Sequence, residues 1–278
     1  MSKRTLMPVG GCRVTRYGRI RLDGAVGTWS GVADAYRESF ATLCAGAIER
    51  LLADTSGERH LDVGSGTGAL AARADALGRK VIAIDADPEM VAVSTAVAGG
   101  RVVEGSLPDL PFDDNAFDAV TANFVINHVP DPRAGMRELA RVVRPGGRVA
   151  ATIWPSQPAE WAVLVAGAFS AAGVIPIPGQ RLSADLDFER SVAGLRGLAE
   201  AAGLEAITAT ELKWDWDISV DALWGGIAGG VATVGQTFLA QMPEVQASAE
   251  REFREAATAL APEGILRLST TAVYVVAT

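Results

Sequence analysis

The amino-acid sequence predicts an α/β fold built on a doubly wound parallel sheet. Two observations carry this. Short apolar runs alternate with helical patterns at the spacing of crossover units. Those runs are nearly continuous in apolar residues, as expected of strands covered on both faces.

The elements follow in order. From Trp29 to about Leu52, the positions Trp29, Val32, Tyr36, Phe40, Leu43 and Ala47 recur at three- and four-residue steps, which predicts helix. His60-Leu61-Asp62-Val63 is a short apolar run that stops at Gly64 and reads as a buried strand entering a tight turn. A helix over 69–77 ends at Gly78, a C-cap residue. A second strand covers 80–85. A second helix covers 88–97, with Asp87 as N-cap and Pro88 at its first position. Strands at 101–104 and 117–122, a helix over 132–143 stopped by Pro145-Gly146-Gly147, and a strand at 148–154 complete this half. Beyond Trp154 the pattern predicts an apolar helix, a helix over 191–202, a long strand at 204–218, helices at 220–242 and 244–260, and a last strand at 266–277. Helices that lie between two sheet strands read as an inserted cap. The expected organisation is an N-terminal arm over 1–27, flexible, and one domain over 28–278 with cap elements at about 156–190 and 219–262.

Composition narrows the function. Of 278 residues, 49% are hydrophobic and 21% charged, which excludes disorder as the main state. Net charge is −8, from 25 Lys and Arg against 33 Asp and Glu, which argues against a nucleic-acid surface. Two cysteines exclude a disulfide framework and a Cys-rich zinc module, suggest a reducing, cytoplasmic compartment, and leave no metal site to expect. The basic first 22 residues lack the apolar core of a signal peptide. The apolar stretch 161–178 is short for a membrane span.

The chemistry concentrates in Asp62-Val63-Gly64-Ser65-Gly66-Thr67-Gly68. Three glycines follow a strand and open a helix, so backbone can approach a ligand there and N–H groups can face it. Asp85 ends the next strand, where a carboxylate can accept both hydroxyls of a ribose. The glycine spacing alone also fits a nicotinamide dinucleotide site or a purely structural turn. Asp62, at the strand tip, would repel a pyrophosphate and suits a ligand that carries an ammonium or sulfonium.

Taken together, LDVGSGTG, VIAID, LPDLPFDDNAFDAV, NHVPDP and ELARVVRPGGRV resemble the class I S-adenosylmethionine (SAM) dependent methyltransferases, in particular the small-molecule group related to the ubiquinone and menaquinone biosynthetic enzymes. The resemblance covers roughly residues 29–154. It implies a Rossmann-like sheet of seven strands with the last antiparallel. It also implies SAM as methyl donor, with S-adenosylhomocysteine (SAH) as product. Carried over by position, Asp62 and the Gly64, Ser65, Gly66 and Gly68 loop would hold the methionine part, Asp85 the ribose, and Ala86 would lie against the adenine. Ser106 stands where many relatives have an acid facing the adenine amino group. Recognition there would fall to its hydroxyl, to backbone groups and to an apolar wall at Leu107. Asn123 would border the sulfonium and the acceptor. His128, just past the fourth strand, is the candidate general base, and fixing its loop by hydrogen bonds explains it equally well. His60 reads as a packed or hydrogen-bonded residue, Asp131 as a helix cap, and the alternation of Trp214 and Trp216 with Asp215 and Asp217 as core against solvent.

The expected partner is a small, mostly apolar organic acceptor, with O-, N- or C-methylation open, no nucleic acid and no membrane span. A NAD(P)-dependent oxidoreductase and a non-catalytic SAM-binding protein remain as alternatives.

Overall fold

The structure, a computed structural model, describes residues 29–179 and 181–278. The expected arm over 1–27 lies outside the described residues. Seven strands form one sheet: β1 (Arg59–Val63), β2 (Lys80–Asp85), β3 (Arg101–Glu104), β4 (Phe117–Asn123), β5 (Val143–Ile153), β6 (Ala206–Ser219) and β7 (Ile265–Ala277). Their order is β3-β2-β1-β4-β5-β7-β6. The first five pair in parallel, and β7 runs antiparallel to both β5 and β6. The order reverses between β1 and β4. In open α/β sheets such a switch point opens a crevice beyond the carboxyl ends of the strands.

Helices cover both faces: α1 (Ala33–Glu38), α2 (Phe40–Ala45), α3 (Ile48–Asp54), α4 (Ala69–Ala76), α5 (Pro88–Val97), α6 (Pro132–Val142), α7 (Glu160–Ala171), α8 (Val192–Ala201), α9 (Val220–Ala228), α10 (Ala232–Leu239) and α11 (Pro243–Leu260). Side-chain alternation along β1 sorts the two layers. Leu61 and Val63 enter the core beneath α6 and α8, with Met136, Leu139, Leu195 and Val275. His60 and Asp62 face the other side, where Leu51 of α3, Leu70 and Ala74 of α4, Ala83 and Tyr274 form a second core. A third cluster joins α7, α9, α10 and α11 to the outer parts of β6 and β7, around Phe169, Trp216, Leu223, Trp224 and Phe253. No described helix is long and apolar enough to cross a membrane.

Two expected helices are broken. The 29–52 segment divides into α1, α2 and α3. The Ser39 hydroxyl donates back to the Ala35 carbonyl at 2.6 Å, and Ser39 leaves helical geometry at φ −122°, ψ −97°. The second break is at Gly46, whose backbone lies so close to the Trp214 indole that a Cβ there would sit 2.2 Å from Nε1. The 220–242 segment divides into α9 and α10 at Gly229-Gly230-Val231, where Gly230 has φ +83°. β5 also starts earlier than expected, at Val143, with Pro145-Gly146-Gly147 inside it and an irregular register against β4. Asp87 and Asp131 cap α5 and α6, accepting from Glu89 N and Ala134 N at 2.8 Å each.

Candidate functional site

At the switch point, β1 ends in the turn Gly64-Ser65-Gly66-Thr67-Gly68 and α4 begins. Gly64 has φ +66°, and a Cβ there would lie 2.4 Å from Val125 Cγ2; Gly68 has φ +86° and abuts Ser94. The loop is tied to β2. Gly64 N and Ser65 N donate to the Ile84 carbonyl, and Gly66 N donates to Asp85 Oδ2 at 2.7 Å. Asp85 Oδ1 accepts from Asp87 N at 3.0 Å. A carboxylate has about four lone-pair sites, so roughly two remain for a ligand. Burial raises the Asp85 pKa, against the backbone hydrogen bonds that lower it.

Asp62 sits in the wall of a cavity of about 40 Å³, which is also lined by Tyr36, Cys44, Ser65, Gly66 and Asn123. The parallel register sets Asp62 beside Thr121, whose hydroxyl donates to Asp62 Oδ1 at 3.0 Å. Asp62 Oδ2 and Ser65 Oγ are buried and have no hydrogen-bond partner among the described residues. Burial pushes the Asp62 carboxyl up to about 7, with the neighbouring Asp85 adding to the rise and the Thr121 bond opposing it. The unpartnered oxygen of this desolvated carboxyl and the orphaned Ser65 hydroxyl beside it suit an ammonium donor, so the residues present fit the methionine end of SAM. The cavity is far smaller than the roughly 300 Å³ or more of a typical ligand pocket, and it takes one end of such a molecule.

Asn123, at the tip of β4, acts as a strut. Its Oδ1 accepts from Thr152 Oγ1 at 2.6 Å and its Nδ2 donates to the Cys44 carbonyl at 3.0 Å. Phe124 then turns the chain at φ +58°, stacked on Trp154 at 3.8 Å. Ala86, Ser106, Leu107 and His128 lie outside the small cavity. Ser106 follows β3 and pairs with Asp109 in an isolated bridge, and Gly105 N donates to the Asp85 carbonyl, which brings the segment to the Asp85 side. The Leu107 side chain is buried in the sheet core, 3.5 Å from where a Cβ at Gly135 would stand. His128 is exposed and ends a 3-10 turn over Ile126–His128. Its Nε2 faces the Asn127 amide nitrogen at 3.1 Å. Its ring meets Trp29 edge-on at 5.6 Å.

Sequence reasoning missed the strap over this site. Trp29 also packs edge-on against Tyr36 at 5.5 Å. Ser30 Oγ donates to Asp87 at 2.8 Å and Gly31 N to Glu89 at 2.8 Å. The segment therefore crosses from the end of β2 to the turn after β4. Tyr36 rests on Gly66, 3.5 Å from where a Cβ would stand, and its hydroxyl faces Cys44 Sγ at 3.6 Å. Burial raises both groups' pKa values, Cys44 to about 12, so both stay protonated. In the sequence, Trp29 and Tyr36 are indistinguishable from the other apolar positions of a core-facing helix.

A second cleft, about 430 Å³, lies between Asn115, Arg137, Arg144, Gly203 and Thr278. It is larger but stands at the opposite, N-terminal ends of the parallel strands, away from the glycine loop.

Comparison with known proteins agrees with this geometry. Residues 61–151 match the family profile described as a methyltransferase domain. That segment, about a third of the chain, is similar to the class I SAM-dependent methyltransferases. The family segment is 42% identical over 107 residues to a demethylmenaquinone methyltransferase of Clavibacter sepedonicus, covering 37% of this chain and 44% of that one. It is 39% identical over 131 residues to a ubiquinone biosynthesis O-methyltransferase of Xanthomonas oryzae, covering 44% and 54%. The chain thus spans about half the length of these curated relatives. Among solved structures, a Bacillus halodurans protein of methyltransferase fold aligns with TM-score 0.51 at 16% identity, over 83% of this chain and 97% of that one. A structure described as the conversion of a disulfide bond into a thioacetal group during echinomycin biosynthesis aligns with TM-score 0.52 at 19% identity, over 85% and 80%. These likenesses show a shared fold, and the antiparallel seventh strand expected from the sequence is present in this chain's own sheet.

Proposed function

We propose that this methyltransferase transfers the methyl group of SAM to a small, mostly apolar organic molecule. The observation that carries the reading is the pairing of a desolvated Asp62 carboxyl, one oxygen unpartnered, with a glycine loop tied to Asp85. Asp62 and Ser65 hold the ammonium end, the Gly64–Gly68 backbone lies along the methionine part, and the free lone pairs of Asp85 take the ribose hydroxyls. Ala86 and Ser106 flank the adenine, and Asn123 borders the sulfonium. When bound, SAM supplies an electrophilic methyl on a cationic sulfur.

The chain's own contribution is alignment and exclusion of water. Positive charge disperses as the methyl leaves sulfur, so a dry, positioned site favours the displacement. The strap carrying Trp29 and Tyr36 and the stacked Phe124 and Trp154 supply apolar cover. Where the acceptor must lose a proton, His128 is the residue proposed to take it, after Asn127 releases its Nε2 lone pair. The quinone-biosynthesis relatives favour an aromatic or quinol-like acceptor.

Thermal unfolding with SAM, SAH and NAD tests the donor assignment. Ligand stabilisation follows RT ln(1 + [L]/Kd), so a hundredfold excess over Kd adds about 2.7 kcal/mol. SAM and SAH should raise Tm and NAD should not. Equal shifts with NAD would favour the oxidoreductase reading.

A further inference from the structure

Behind Asp62 runs a buried chain of hydrogen bonds. Arg79 Nη1 contacts His60 Nδ1 at 2.9 Å, His60 Nε2 contacts Thr121 Oγ1 at 2.9 Å, and Thr121 Oγ1 contacts Asp62 Oδ1 at 3.0 Å. Its direction is determined by chemistry. Arginine has no acceptor, so Arg79 donates and His60 Nδ1 carries the lone pair. The proton of the neutral ring is then on Nε2 and points at Thr121, whose single hydrogen has Asp62 Oδ1 as its nearer acceptor at 3.0 Å and the Leu61 carbonyl as a longer one at 3.4 Å. Every hydrogen in the chain is donated toward the carboxylate. Arg79 is itself held by the Leu52 and Thr55 carbonyls at 2.7 and 2.8 Å and by Thr55 Oγ1 at 3.0 Å. His60 and Thr121 are fully buried.

We propose that His60, with its tautomer set by Arg79, is a positioning residue that acts through Thr121 to hold Asp62 Oδ1 and so present Oδ2 to a cationic ligand group. The chain fixes the carboxylate plane and supplies one donor to its charged form. Burial of the imidazole next to the Arg79 cation brings its pKa down to about 3, which keeps the ring neutral as the relay requires. The titratable groups around the Asp62 cavity are Tyr36 of α1 and Cys44 of α2, both kept protonated by burial, and Asp85 of β2 beyond the loop. The ligand half of this proposal rests on the reading of Asp62 as the ammonium acceptor.

The test uses the full chain, with SAH as probe. The Asp62 carboxyl is titrated by ¹³C NMR, assigned with Asp62→Asn, and SAH affinity is measured by calorimetry at pH 7. Thr121→Val and His60→Leu are expected to raise the Asp62 midpoint by about one pH unit and to weaken SAH about tenfold, the effect of losing a hydrogen bond to a charged group. Thr121→Ser keeps the hydroxyl, and His60→Gln can still accept from Arg79 and donate to Thr121, so both should restore near-normal values. An unchanged midpoint in Thr121→Val overturns the proposal. Should His60→Leu not fold, ¹⁵N NMR of the unsubstituted protein decides: a proton on Nδ1, or a protonated ring at neutral pH, overturns it. Asp62→Asn with unchanged SAH affinity would remove the ammonium reading instead, and the carboxyl titration would still judge the relay.

Discussion

The Asp85 carboxylate accepts the amide hydrogen of Gly66 across 2.7 Å, so the end of β2 holds the glycine loop in shape before any ligand contributes. The same side chain therefore has a structural role beside the ribose-binding role proposed for it, and its removal separates the two.

Asp85→Ala leaves the amides of Gly66 and Asp87 without their acceptor. Stability should fall by roughly 1–3 kcal/mol per amide that stays buried and unsatisfied. SAH affinity should fall by about tenfold or more from the lost ribose contacts. Denaturant unfolding beside calorimetry separates the two. A stability loss with unchanged SAH affinity would take Asp85 out of ligand recognition.

Asp62 makes binding depend on pH. Its folded-state pKa of about 7 lies above the ordinary value near 3.9, so the protein alone retains a proton between these limits. Affinity for a cationic end should fall as pH drops below about 7, approaching tenfold per unit, and level off above it. For stability the sign is opposite: the group's favourable contribution is complete below about pH 4 and is lost as pH rises through about 7. Asp62→Asn should therefore raise Tm at pH 8 more than at pH 5 while weakening SAH. A Tm gain independent of pH would show that Asp62 is ionised throughout.

Tyr36 lies on the loop that would carry the methionine part. Tyr36→Ala uncovers Gly66 and should weaken SAH mainly through faster dissociation, whereas Tyr36→Phe, which loses only a 3.6 Å contact to Cys44, should be nearly neutral. Stopped-flow tryptophan fluorescence, with Trp29 beside Tyr36 as reporter, measures both rates. Identical kinetics for the alanine variant would separate the strap from the site.

His128→Ala tests the proposed base. Turnover should drop by roughly 10²–10⁴ with SAH affinity nearly kept. Chemistry close to normal in single-turnover measurements would leave alignment and desolvation as the whole mechanism.

Much of the donor half was legible because its signals are local. The turn at Gly64 and Gly68 needs positive φ, the caps at Asp87 and Asp131 need a short acceptor, and the strands between them read as apolar runs. What escaped depends on partners distant in sequence. The break at Gly46 is imposed by Trp214 of β6, and no pattern within 29–52 announces it. The packing of Leu107 against α6 at Gly135 likewise depends on a partner 28 residues away. His60 could be placed on β1 and its partner Thr121 on β4, yet only the strand register sets that hydroxyl beside Asp62.

The outer half of the sheet has a mechanical consequence. β7 pairs with β5 only over Val273–Ala277, while its pairing with β6 continues to Ile265. Residues 212–219 and 265–272 therefore form a two-stranded ribbon beyond β5, held from the side by Trp214 against Gly46, by Trp216 Nε1 donating to Thr42 Oγ1 at 2.9 Å and by Ser269 N donating to Glu160 at 2.7 Å. At about 3.3 Å per residue this overhang is roughly 25 Å long. The tip carries α9, α10 and α11. Through Trp214 and Trp216 this ribbon leans on α2, whose Cys44 lines the Asp62 cavity, so the cap and the cavity share one supporting helix.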